Sequence, residues 1–189
     1  MQVRLPFLVA LMFPPSFLAL SANDPSSFFI SERGPHSRVW KKETIVQSES
    51  GARTNVASYT ELATGLHYWD GTQWQESRDE IEVVADGAAA THGQHTVHWN
   101  ANLNTLGAVS LTTPDGQLMR SHVLGLAYTS ESGQSVFIAQ IQNSDGILLP
   151  PNEIVYPAAL GLAADVRYTY TKAGCEQDIL IREKASFAR

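Results

Sequence analysis

The sequence predicts an all-β protein: an antiparallel β-sandwich-like domain behind a signal peptide and a short linker. Three observations predict it. Short runs rich in Val, Ile, Thr, Tyr and Trp recur from Arg38 onward. Turn-forming groups built on Gly, Pro, Asp and Asn separate them. Within the runs, apolar and polar residues alternate with a period of two, the repeat of a half-buried strand.

Taken in chain order, residues 1–22 have the make-up of a secretory signal. Arg4 is the one charge, Leu5 to Leu20 is apolar, and Ser21 and Ala22 are small. The apolar stretch is short of the ~20 residues a membrane span needs, and Pro14 and Pro15 interrupt it. Cleavage after Ser21 and after Ala22 both stay open. Residues 23–37, with Asn23-Asp24-Pro25-Ser26-Ser27 and Gly34-Pro35, are expected to form a linker, and residues 38–189 the all-β domain. Arg38, Lys41 and Lys42, interrupted by Val39 and Trp40, read as a strand with one solvated face.

Turn signals at Gly51, Asp70-Gly71, Asp86-Gly87, Pro114-Asp115-Gly116, Asp145-Gly146 and Lys172-Ala173-Gly174 cut the rest into strands. Ile81 and Val83 alternate with Glu80 and Glu82, Val109 and Leu111 with Ser110 and Thr112. Val166, Tyr168 and Tyr170 alternate with Asp165, Arg167 and Thr169. Val136-Phe137-Ile138-Ala139 is apolar on both faces and reads as a central strand. Ala158 to Ala164 is the one stretch with helical character, weakened by Gly161.

The mature part carries 12 basic against 19 acidic residues, a net charge of −7. That balance disfavours nucleic acid and anionic membranes as partners, because phosphate binding needs clustered Lys and Arg. Roughly 167 residues suffice for one domain with its own core. The lone Cys175 permits no intramolecular disulfide, and its strand parity with Ile179 and Ile181 predicts a buried thiol.

The clearest local motif is Leu66-His67-Tyr68-Trp69-Asp70-Gly71-Thr72-Gln73-Trp74-Gln75. It predicts a β-hairpin with a four-residue loop that sets Trp69 opposite Trp74. The pair has two readings. It is a structural hairpin packed on a sheet, or, with Tyr68, a ligand site in which flat rings stack on sugar faces. Tyr68, Trp69 and Trp74 are therefore the candidate ligand-binding residues.

No catalytic residue is expected. Glu80 with Glu82 and Glu176 with Asp178 are same-face carboxylate pairs of the kind glycoside hydrolysis uses, but solvated strand faces carry such pairs too. There is no Gly-X-Ser-X-Gly elbow, His-Glu-X-X-His or phosphate loop. No metal and no cofactor are expected either. His92, His95 and His98 on one strand would point to alternate faces, whereas zinc needs three or four donors converging on a point; a bulge at Gly93, or the approach of His67 or His122, is the route by which that geometry could still be met.

Several segments share one pattern: Ser58 to Leu66 with Tyr68, Gly93-Gln94-His95, Pro114 to Leu118 with Ser121, Leu124 to Tyr128, Tyr168 to Gly174, and Glu176-Gln177-Asp178. In these the chain resembles the β-rich N-terminal region of large, uncharacterised secreted bacterial proteins, some with repeat or lectin-like modules downstream. The resemblance spans about Ser58 to Glu183 and brings no assigned site residues. It departs at Cys175, where a large apolar residue is expected, and in ending at Arg189. The resemblance is a poor guide to activity; the N-terminal signal and the lack of a catalytic motif lead to the expectation of a non-catalytic exported domain, secreted or in the cell envelope, serving as a structural or interaction module at the cell surface. Its expected partners are a glycan or other envelope proteins. A glycan-active secreted hydrolase working through carboxylates or histidines is the alternative, and a glycan-binding module built on the Trp69/Trp74 hairpin is another.

Overall fold

The computed structural model describes residues 27–161 and 164–182. The expected signal peptide, residues 1–22, lies outside the described residues. All regular structure among the described residues is β-strand. β1 (Phe29–Gly34), β2 (Ser37–Ser48) and β3 (Gly51–Leu62) make a three-stranded sheet, and β4 (His67–Trp69) with β5 (Trp74–Glu76) a separate hairpin. β6 (Glu82–Val84), β7 (Gly87–Ala90), β8 (Thr96–Asn100), β9 (Val109–Thr112) and β10 (Leu118–Ser121) form a five-stranded meander. β11 (Gly125–Thr129) and β12 (Ser135–Gln140) form a second hairpin. β13 (Ile147–Leu149), β14 (Glu153–Tyr156), β15 (Ala164–Thr171) and β16 (Gly174–Ile181) form a four-stranded meander. Every pairing between these strands is antiparallel and joins neighbours in sequence, the arrangement short turns permit. The protein is all-β.

The five- and four-stranded meanders face each other, and the core lies between them. Period-two alternation supplies its side chains: Val97 and Trp99 from β8, Tyr156 from β14, and Val166, Tyr168 and Tyr170 from β15 are all buried. Register places Trp99 between Ala88 on β7 and Val109 on β9, so small neighbours make room for the indole. Across the gap, the Trp99 and Tyr168 rings lie 6.2 Å apart, and Tyr156 meets Tyr168 edge-on at 6.2 Å. This is the sandwich-like packing expected.

Four expectations need correction. The stretch 23–37 is not linker throughout, because Phe29–Gly34 is β1 and pairs with β2. The Gly34-Pro35 signal marks a hairpin tip. Pro35 occupies the loop between paired Gly34 and Ser37, where a fixed φ suits a turn and no ladder donor is lost. Val136 to Ala139 is not a central strand. It lies in β12, which pairs with β11 alone, and Val136, Phe137 and Ile138 are exposed. Two-faced apolarity does not distinguish a buried strand from an uncovered hairpin. The described part of 158–164 holds turns, an Ala159–Gly161 bridge and the first residue of β15, and no helix. Ala158 takes a left-handed φ of 52°, and its N–H donates to Asp165 Oδ1 at 2.7 Å. Cys175 is half-buried at the margin of the core, while Ile179 and Ile181 on its side of β16 are exposed.

Candidate functional site: the tryptophan cleft

The β4–β5 hairpin forms in the expected register, with Trp69 opposite Trp74 and Tyr68 opposite Gln75. Its loop is held by Asp70. Oδ1 accepts from the Thr72 and Gln73 amides at 2.8 and 2.9 Å and from Thr72 Oγ1, and Oδ2 accepts from Gln75 Nε2 at 2.7 Å. These bonds, Gln75's foremost, hold the Asp70 carboxyl well below the usual carboxylate range. Gly71 at the loop tip has a φ of 101°, which disfavours any residue with a Cβ.

The hairpin is seated on the β1–β2 turn. His67 is fully buried, and its Nδ1 donates to Gly34 O at 2.8 Å. His36 Nδ1 accepts from the Gly65 amide at 3.1 Å, and Gln94 Nε2 donates to both Pro35 O and His67 O, at 2.6 and 3.0 Å. Gln94 thus ties the turn to the hairpin with its two N–H donors. No hydrogen bond among the described residues uses its carbonyl oxygen.

Tyr68, Trp69 and Trp74 line one cleft of about 440 Å³, together with Pro35, His36 and Gln94. That size falls within the ~300–1,000 Å³ typical of small-ligand sites. The three residues singled out in the sequence are therefore brought together. His36 and Gln94 were not foreseen, since only the folding of the β1–β2 turn onto the hairpin places them there. The tryptophans do not make a flat platform. Their rings sit 5.4 Å apart at 69°, an edge-to-face corner. Trp69 is 54% exposed and offers an open face, while Trp74 is half-buried behind it.

The three histidines diverge. His92 and His95 precede β8 in a loop, and only His98 lies on it. His92 faces Glu82, His95 packs its ring 5.3 Å from that of Tyr170, and His98 Nε2 is 3.0 Å from Asp86 Oδ1. Burial pushes the His95 imidazole pKa down. Of the carboxylate pairs, Asp178 is engaged by Arg167 at 2.8 Å and Glu80 by Arg78 at 3.1 Å. Burial raises the Cys175 thiol to about 11, leaving it protonated at neutral pH and a poor nucleophile.

In comparisons with protein-family models, curated proteins and solved structures, nothing matched the chain.

Proposed function

We propose that this chain is a non-catalytic, exported β-domain acting as an interaction module at a bacterial cell surface, and that its cleft takes one sugar ring of a glycan. The observation that carries the reading is Trp69. A large aromatic face stands half-exposed at the wall of a cleft that the Gln94 amide and the His36 imidazole also line. Aromatic faces satisfy the C–H surface of a pyranose, and a few placed polar groups satisfy its hydroxyls. The edge-to-face corner limits stacking to one ring, so a single sugar unit is read. Export and the surface location rest on the N-terminal sequence, and the interaction role on the lack of a catalytic motif together with the aromatic cleft.

The test is retardation of the full chain in gels containing starch, xylan, mixed-linkage β-glucan or soluble chitin, beside Trp69→Ala and Gln94→Ala. Retardation by at least one polysaccharide, abolished in Trp69→Ala while the far-ultraviolet spectrum is unchanged, is expected. Migration unaffected by every polysaccharide, or equal retardation of wild type and Trp69→Ala, returns the hairpin to a purely structural role.

A further inference from the structure

We propose a second site, a divalent-cation site of zinc type formed by Glu80, Glu82 and His92. Ile81 is buried, so Glu80 and Glu82 on either side of it project together from the outer face of the β6 segment. The loop after β7 brings His92 to the same place. The Arg78 amide donates to His92 O at 2.8 Å, clamping that loop beside the segment that carries both carboxylates. One donor atom from each of the three side chains lies within 4.8 Å of the other two.

The His92 side chain is 23% exposed, but its Nδ1 faces inward toward the carboxylates. His92 Nδ1 is buried and has no hydrogen-bond partner, although Glu82 Oε1 lies 3.9 Å away. That separation is too long for a hydrogen bond, and an orphaned buried nitrogen costs free energy. The Tyr68 ring packs edge-on at 6.0 Å and fixes the imidazole plane. A zinc ion with bonds of ~2.0–2.1 Å holds its donors about 3.3 Å apart. Rotations of the two flexible glutamate side chains close the remaining gap and give Nδ1 its partner. The donor set of one imidazole and two carboxylates suits zinc, whereas calcium and magnesium take oxygen donors alone. Arg78 engages Glu80 through Oε2, which leaves the other carboxylate oxygen for the ion. Three protein donors leave a fourth position open to water or an external ligand. This site differs from the one weighed in the sequence, since His95 and His98 take no part.

The full chain, freed of metal by chelator and dialysis, is titrated with zinc chloride by calorimetry, with calcium chloride as a parallel arm. One zinc per chain is expected. Glu82→Gln and His92→Ala should each weaken uptake at least about tenfold, since even outer-shell losses cost that much. His98→Ala should leave it unchanged. Glu82 is exposed, so Glu82→Gln preserves the fold and decides the matter if His92→Ala unfolds. Absence of zinc uptake, uptake unaltered by Glu82→Gln, or calcium uptake without zinc uptake overturns the site.

Discussion

Glu61 receives the Arg38 guanidinium as a two-pronged fork at 2.7 and 3.0 Å and the Trp40 indole at 2.9 Å. These bonds, Arg38's first, hold its carboxyl down to about 2 against an ordinary 4.5. The sign of the linkage follows. A folded-state pKa below the unfolded one means stabilisation that is whole above about pH 4.5 and is lost as pH falls toward 2. The gap in urea midpoint between wild type and Glu61→Gln should therefore be widest at neutral pH and close as pH falls through that window. High salt should narrow it at neutral pH, because the pair is partly exposed and screened. A gap that is constant with pH would show that Glu61 acts through packing alone. Arg38 also reaches Glu76 on β5 at 3.3 Å, so the same guanidinium links the three-stranded sheet to the tryptophan hairpin. The sequence shows Arg38 and Trp40 as parts of a strand, but their shared partner comes from β3, and only the β2–β3 register brings it opposite.

At the scale of elements, the hairpins with Gly in or directly after the turn are legible, because turn chemistry and alternation act locally. The Asp70 loop and the Lys172-Ala173 turn between β15 and β16 are such cases, and so Trp69 and Trp74 were paired correctly. The loop before β8 was not legible. Its path is set by Gly93, which sits so close to Tyr170 that an added Cβ would lie 2.0 Å from the phenolic oxygen. That oxygen donates to His95 O at 3.0 Å, and burial raises its pKa to about 12, so it stays a donor at ordinary pH. The same short loop carries His92 to the carboxylates and Gln94 to the cleft, so both proposed sites depend on a backbone approach with no signature in hydrophobic pattern. Gly93→Ala should destabilise by about 1–3 kcal/mol through overpacking. Tyr170→Phe should cost about 0.5–1.5 kcal/mol for the lost hydrogen bond. The double variant should lose less than the sum, because removal of the hydroxyl relieves the clash. Urea unfolding of the four proteins measures this coupling, and strict additivity would mean that the loop moves away from Tyr170 instead.

Across the whole molecule, cover is uneven. The paired meanders enclose Trp99, Tyr156, Val166 and Tyr170 almost completely, whereas the outer half of the β2–β3 hairpin, residues 43–56, is exposed on both faces, with Ile45 68% and Val56 59% accessible. The alternating pattern of the sequence marked strands in both regions but carried no signal of which strands find a second layer. That depends on how sheets stack, and it is why Val136 to Ala139 was misjudged. Local opening free energy follows buried apolar contact, so it should be low where only ladder hydrogen bonds hold the chain and close to the global value where two sheets interlock. Hydrogen exchange followed by mass spectrometry should therefore show peptides within 43–56 exchanging well ahead of those within 97–99, 153–156 and 164–171. Urea held below the unfolding transition should speed the first group little, since its opening exposes little new surface, and speed the second steeply. Equal protection along the chain would mean that the outer hairpin is covered in solution, by other parts of the chain or by a second copy. Measurements at two protein concentrations separate those cases, because only association between copies makes the protection concentration-dependent.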